Sequence, residues 1–486
     1  MSTTDIVLAF PAIRKISTSY RSAGTPPLGL AYLAAICEKE GYSIKFFDLN
    51  LDPFSPAEID KFLKASKPRA LGVSFVTEAR FAAFGLFKLA KKADPSIITI
   101  AGGPHATLCA EDSLKHVEEL DFIVRGEGEE TFADLMRYLI RHSGELEDIN
   151  GISYRRNGSV IHNRNRLPIK DLDSLPFPAL HRISFERYIF KIEVAGFGKL
   201  RAAPVLSSRG CPFSCNFCAT AKVWGSKWRF RTPANVMEEI EDVRKKYRID
   251  ALWFVDDNFN AHNERAIAIC DEMIKRKSGL KWICNVRVDN MKREHLEAMA
   301  AAGCISVEFG AESGSQRILD EVVGKKIKVG QIVDVDRWCS ELGIVSDAQF
   351  VVSHPTETFS EAKETINLMR RLKGKSTLQI LKVYPGTKVE EAAVSIGLLP
   401  QGFSWAKDIG ATDLIPSIVG DAPLFIDKMT INEITELMTI AWTELRSISM
   451  FSLVKKALSK ARSPKELFKL IRLGFPILIR KFKRRV

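Results

Sequence analysis

The sequence predicts an α/β protein made of two successive β/α series. Three observations carry that expectation. Residues 1–142 alternate five short apolar runs with helical patterns, and residues 201–390 do so six more times. A loop bearing three cysteines directly follows the first strand of the second series. Five units imply a doubly wound parallel sheet whose ligand sits beyond the carboxyl ends of its strands. Six units imply an incomplete β/α barrel with reactive groups on the loops at the equivalent ends.

In the first series the strands are Asp5–Ala9, Ser43–Asp48, Arg69–Phe75, Ile97–Ala101 and Asp121–Val124. Helical spacing covers Pro27–Glu40, Ala79–Lys92 and Glu129–Arg141. The first strand runs into Phe10-Pro11-Ala12 rather than a glycine turn, so a dinucleotide fingerprint is missing where it belongs. Gly126-Glu127-Gly128-Glu129-Glu130 has two glycines, but its carboxylates would repel a pyrophosphate. Ala101-Gly102-Gly103-Pro104-His105-Ala106-Thr107 ends the fourth strand. Two glycines there let the backbone approach a flat, bulky ligand closely; an ordinary strand-to-helix turn is the alternative. Residues 143–200 read as a polar, then Pro-rich linker, with turn chemistry at Asp171–Pro178.

The second series has strands at Ala203–Ser207, Leu252–Val255, Trp282–Val286, Ile305–Phe309, Ala348–Val352 and Leu378–Val383. Helical patterns include Asn235–Tyr247, Glu264–Lys277, Lys292–Ala302 and Glu361–Lys373. After its first strand, Cys211, Cys215 and Cys218 stand in C-x-x-x-C-x-x-C spacing. A cubane cluster has four irons, each normally holding one thiolate, so three neighbouring thiols can bind three irons and leave the fourth open to chemistry. A structural zinc site or three unrelated core cysteines are the alternatives; structural zinc wants four ligands, usually from paired C-x-x-C motifs. The other six cysteines, Cys37, Cys109, Cys270, Cys284, Cys304 and Cys339, are scattered singly, mostly in apolar runs, and read as core.

Cys211, Cys215 and Cys218, with the aromatic Phe217 before the third, resemble the signature of the radical S-adenosylmethionine enzymes. The segments Pro26–Leu33, Gly102–Thr107 and Gly126–Phe132 resemble the cobalamin-binding half of the cobalamin-dependent members. The resemblance covers residues 1–390. It implies a Rossmann-like cobalamin-binding domain over 1–142, a linker over 143–200, a partial (β/α)6 TIM-like radical SAM barrel over 201–390 and a mainly helical accessory region over 391–486. It places Cys211, Cys215 and Cys218 on a 4Fe-4S cluster, with Phe217 beside it. Asp256, Asp257, Arg287, Glu312 and Ser313 would lie around S-adenosylmethionine, each with a solvated strand end or a loop salt bridge as the alternative. Ser74, Gly102, Gly103, His105 and Thr107 would lie near the corrinoid. The D-x-H-x-x-G motif that supplies a lower cobalt ligand in non-radical cobalamin methyltransferases is absent, so His105 is not assigned that role. His354, in Ser353–Thr358 after the fifth strand, departs from the usual glycine-rich version and reads as structural or substrate-facing. Tyr384-Pro385-Gly386-Thr387 closes the sixth strand much as the family does.

The implied reaction is methylation of an unactivated carbon by way of a 5′-deoxyadenosyl radical and methylcobalamin. A ring-forming or rearranging enzyme of the same family is one alternative, and a non-catalytic cofactor sensor another. The implied partners are a small-molecule, lipid or peptide substrate and a reducing electron donor such as flavodoxin or ferredoxin.

Composition bounds these readings. The 486 residues are 46% hydrophobic and 27% charged, and nine cysteines lack a regular framework, as in a globular chain from a reducing cytoplasm. Neither a signal peptide nor an apolar run of ~18 residues is apparent. The net charge is +12, yet residues 455–486 alone hold twelve Lys or Arg against one acid, Glu466. The basic balance therefore belongs to a tail and gives no reason to expect nucleic acid on the core. Phe451, Leu453, Val454, Leu458, Leu467, Phe468, Leu470 and Ile471 interleave with those cations. Such a segment suits peripheral contact with the inner face of an anionic membrane; a helix packed on the barrel is the equal alternative.

Overall fold

The computed structural model describes residues 4–11, 26–52, 54–188, 190–194, 196–407 and 422–445. The basic tail and its apolar residues lie outside that set. The described chain falls into two compact units, one drawn from residues 1–282 and 383–423, the other from 283–382 and 424–486.

The first unit opens with β1 (Ile6–Phe10), β2 (Ile44–Asp48), β3 (Ala70–Ser74), β4 (Ile98–Gly102) and β5 (Phe122–Val124). These five match the strands expected from sequence and lie parallel in the order β2-β1-β3-β4-β5. Burial on both faces explains their nearly unbroken apolar runs. In β1, Val7 and Ala9 join one core with Leu71, Val73 and Phe87, while Ile6 and Leu8 join the other with Ile100 and Phe132. The helix Pro56–Ser66 begins at a reciprocal cap: the Ser55 hydroxyl accepts from the Glu58 amide, and the Glu58 carboxylate accepts from the Ser55 amide.

The stretch expected as a linker contributes strands. β6 (Ile152–Arg156) and β7 (Ser159–His162) extend the first sheet as an antiparallel hairpin. Its turn residues Asn157 and Gly158 both take positive φ, the geometry that favours Asn-Gly between paired strands. Next come β8 (Phe190–Val194) and β9 (Gly198–Val205), an antiparallel pair. The short strands β10 (Ser208–Arg209) and β11 (Arg229–Phe230) close a loop, and β12 (Ala251–Phe254) lies parallel to β9. The helices Pro233–Lys246 and Asn263–Lys275 also belong to this unit; Thr232 caps the first, with Pro233 at its first position.

β13 (Lys281–Val286) starts in the first unit and ends in the second. The second unit carries β14 (Cys304–Glu312), β15 (Val345–Val352) and β16 (Lys375–Ile380), in the order β13-β14-β15-β16. β14, β15 and β16 run parallel. All six strands of the second expected series are present as β9, β12, β13, β14, β15 and β16. β16 begins and ends three residues before its apolar run, because the polar residues Lys375-Ser376-Thr377 pair with Asp347-Ala348-Gln349 on β15. An edge strand tolerates such polar positions.

Phe87 is fully buried in one core of the first sheet. Phe87→Ala should cost about 3–5 kcal/mol, read as a lower urea midpoint for the first transition. An unchanged midpoint would contradict the packing described.

Candidate active site

The loop 210–228 is closed at its base by β10 and β11, where Arg209 pairs with Arg229 across the two strands. Gly210 takes φ +85°, and a Cβ there would meet the Lys227 carbonyl oxygen at 2.6 Å. Only glycine lets the two ends of the loop approach so closely. Inside the loop Cys211 and Cys215 are half-buried and Cys218 is exposed, all as free thiols. The Cys218 amide donates to the Cys215 carbonyl at 3.1 Å. Burial holds the Cys211 thiol above its ordinary range; the Phe213 amide opposes this, while charge on Asp257, Cys218 and Cys215 adds to it. The three sulfurs share one short loop, although among the described residues no group of three His, Cys, Asp or Glu side chains is gathered as a metal site. A cationic cluster would oppose that rise at Cys211, because the thiolate is the binding form. Three free thiols on one pinched loop suit a cubane, three of whose irons would each take one thiolate and leave the fourth open. Phe217 is half-buried between the second and third cysteines.

Asp256 lies just after β12 and is fully buried. Its carboxylate accepts from the Ser207 amide at 3.0 Å, from the Ser207 and Ser208 hydroxyls at 2.7 Å each, and from the Ser208 amide. It therefore holds the backbone that leads into the cysteine loop. Asp257 is open to solvent yet ringed by protein, as in a recess; burial, then the charge of Asp256, push its carboxyl up to about 6, against a hydrogen bond from Thr220. The Lys388 amide donates to the Asn216 carbonyl at 3.1 Å, tying the Tyr384–Thr387 turn to the same loop. Tyr384 also donates to Glu78, beyond β3, at 2.5 Å.

The acidic turn after β5 reaches this loop as well. Arg209 Nη2 donates to Glu129 Oε1 at 2.6 Å, and Arg229 Nη2 donates to Glu127. All four side chains are nearly sealed from water. In the sequence the carboxylates of this turn speak only against phosphate; their arginine partners emerge in the fold. A parallel hint was available: Arg209 and Arg229 flank the cysteine loop.

At the other candidate turn, Gly103 takes φ +87°, and a Cβ would meet Ser74 Oγ at 2.7 Å and the Phe75 backbone at 2.9 Å. Contacts within the chain thus account for this glycine. Gly102 differs: its backbone is extended and a Cβ would find only the Val124 carbonyl at 3.8 Å. Nothing within the described protein demands glycine there, whereas a flat ligand lying on the turn would. His105 is fully buried beside Phe75, Phe84 and Trp405. Its Nδ1 lies 3.1 Å from Thr77 Oγ1, and its Nε2 has no partner among the described residues. Burial, aided by nearby Arg80, pulls its pKa down to about 3, so the ring is neutral. The glycine surface and the orphaned nitrogen fit a bound corrinoid at this turn. Thr107 accepts from the Gly126 amide at 3.0 Å.

The second unit holds the remaining expected residues. Arg287 is buried and directs its fork at Asp289, with bonds of 3.0 and 2.7 Å. Glu312 follows a bulge in β14, takes φ +60°, and accepts from Lys325 at 2.8 Å. Ser313 is buried; its hydroxyl lies 3.3 Å from Thr365 Oγ1 and accepts from the Ser315 amide. Beyond β15, burial pulls His354 down to about 4. Glu357, also buried, accepts from the His354 amide at 3.0 Å.

Burial lifts Glu357 from 4.5 to about 7, against two backbone amides that lower it. Folding therefore takes up a proton between those values. The contribution to stability is full below pH 4.5 and is lost as pH rises through 7. Glu357→Gln should flatten the dependence of melting temperature on pH between 5 and 7.5, and slopes identical to the parent's would refute this.

Known proteins resemble this chain over both β/α series. Residues 18–136 match the B12 binding domain and residues 205–369 the radical SAM superfamily. The uncharacterized methyltransferase PH0819 of Pyrococcus horikoshii is 33% identical over 82% of this chain and 85% of its own length. The anaerobic magnesium-protoporphyrin IX monomethyl ester cyclase of Rubrivivax gelatinosus is 32% identical over 73% of this chain and 65% of its own length. The solved radical S-adenosylmethionine methyltransferase TsrM from Kitasatospora setae, with cobalamin and a 4Fe-4S cluster bound, has a TM-score of 0.71 at 13% identity, over 98% of this chain and 100% of that one. At that identity the likeness is one of fold: a cobalamin-binding domain followed by a partial β/α barrel.

Proposed function

The chain belongs to the cobalamin-binding radical S-adenosylmethionine family, and from that premise we propose that it transfers a methyl group to an unactivated carbon of a small-molecule, lipid or peptide substrate. The observation that carries the reading is the order along one chain: a glycine turn shaped for a flat ligand, then a pinched loop presenting three free thiols. When bound, the cluster and S-adenosylmethionine supply the radical and the corrinoid carries the methyl group. The protein's part is to bind, orient and exclude water.

In this reading Cys211, Cys215 and Cys218 hold the cluster and Phe217 walls its edge. Asp256 fixes the backbone entering the loop through Ser207 and Ser208. Asp257 and Thr220 line the recess beside it. Arg287, Glu312 and Ser313 serve S-adenosylmethionine, with the first two already steadied by Asp289 and Lys325. Ser74, Gly102, Gly103, His105 and Thr107 shape the corrinoid turn. In this reading buried His105 packs behind the ligand, its Nδ1 held near the Thr77 hydroxyl.

The likeness to a ring-forming cyclase keeps a second reading in play, ring closure without methyl gain. Product analysis separates the two. Anaerobic turnover with a chemical reductant should give methylated product together with S-adenosylhomocysteine and 5′-deoxyadenosine. Substrate that loses hydrogen without gaining methyl would establish the cyclase reading instead. A non-catalytic sensor would cleave S-adenosylmethionine no more than once. The substrate itself is sought by comparing metabolites and lipids of a deletion strain with its parent, where the missing compounds should leave forms lighter by one methylene.

A cytoplasmic chain drawing electrons from a flavodoxin- or ferredoxin-like donor suits this chemistry. Among the described residues no helix is long and apolar enough to cross a membrane. The cationic tail favours a lipid-associated substrate and a peripheral contact. Full-length protein should float with anionic liposomes and a chain ending at Met450 should not; equal flotation would remove the membrane part of the proposal.

A further inference from the structure

The two loops of the candidate site are joined by a continuous chain of polar contacts within the first unit. The Gly102–Gly103 turn opens the short helix Gly103–Leu108, which carries Thr107. Thr107 Oγ1 accepts from the Gly126 amide at 3.0 Å. Directly after Gly126, Glu127 accepts from Arg229 with one oxygen and from the Ile169 amide at 2.9 Å with the other. Two residues on, Glu129 accepts from Arg209 at 2.6 Å. Arg209 and Arg229 face one another across β10 and β11, the strands that close the cysteine loop.

The loop is gripped from within by the same arginines. Arg229 donates to the Trp224 carbonyl at 3.0 Å, and the Arg209 guanidinium lies 5.1 Å from the Tyr32 ring centre and 5.3 Å from that of Trp224. The Arg209, Glu127 and Glu129 side chains are 3%, 6% and 6% exposed. At that burial a charge left without its partner is costly, so the pairs move together or not at all. Surface ion pairs would slide independently. Glu130, in the same turn, bonds instead to Arg166 and is largely exposed.

We propose that Glu127 and Glu129 are positioning residues for the three cluster thiols, through which a corrinoid seated on the Gly102–Gly103 turn sets the geometry of the cysteine loop. The proposal rests on the cofactor reading of both loops. Coupling of this kind is reciprocal, so the loop also biases the turn.

Alkylation of the thiols in the full-length chain lacking its cluster tests it. Iodoacetamide labelling of Cys211, Cys215 and Cys218 is timed by peptide mass spectrometry, with and without hydroxocobalamin, whose binding is followed by its visible absorption. In the parent chain and in Glu130→Gln, hydroxocobalamin should slow labelling about fivefold or more. In the Glu127→Gln/Glu129→Gln double variant it should still bind but slow labelling less than twofold. Thr107→Val, which cuts the contact to Gly126 without touching a charge, should also weaken the protection, and it stands as the test if the double variant does not fold. Equal protection in the parent and the variants would mean that the corrinoid shields the thiols directly, and would overturn the proposal. Binding to the parent chain without protection would overturn it too. Failure of the parent chain to bind hydroxocobalamin would overturn the cofactor reading, and the coupling with it.

Discussion

Three thiols on a flexible loop converge only if the loop's ends are fixed, since each freely rotating residue costs about 1–2 kcal/mol to order. Here the ends are fixed by a pair of two-residue strands, too short to persist by backbone hydrogen bonds alone. What holds them is the neutralisation of Arg209 and Arg229 by Glu129 and Glu127. Two guanidinium groups this deeply buried would be untenable without those carboxylates. Gly210 permits the approach, Asp256 pins the entering backbone, and Lys388 ties the loop at Asn216. Each element bears on the position of the sulfurs, and none of them is itself a ligand.

The second unit follows a similar logic with different chemistry. Arg287 and Glu312, both at strand ends and both buried, are already paired with Asp289 and Lys325. A polar group held by a neighbour before ligand arrives loses less freedom on binding. Glu312 further sits in a left-handed backbone conformation beside a β-bulge, the kind of strained strand end that concentrates at functional sites.

Much of this was legible in the residues. Continuous apolar runs such as Ile6–Ala9 mark parallel strands buried on both faces, and the cysteine spacing marks the loop that we propose holds the cluster. The β6–β7 hairpin escaped although Asn157-Gly158 signalled it, because polar neighbours such as Arg155, Arg156 and Ser159 hid the alternation. The partners of Asp256, Ser207 and Ser208, could not be read from the sequence, being distant along the chain and adjacent only through β9 and β12. The same holds for Glu127 and Glu129, whose arginines lie 102 and 80 residues further on. A local pattern reports helices, strands and turns; charge pairing across such separations exists only after folding.

The proposed reaction needs one iron of a three-thiol cubane to stay open so that S-adenosylmethionine can dock on it. Electron paramagnetic resonance of the reduced, anaerobically reconstituted chain reads this out. A 4Fe-4S signal is expected whose g-values shift when S-adenosylmethionine is added, and it should vanish when Cys211, Cys215 and Cys218 are all replaced by alanine. A cubane signal indifferent to S-adenosylmethionine, or one that survives loss of all three thiols, would overturn the proposal.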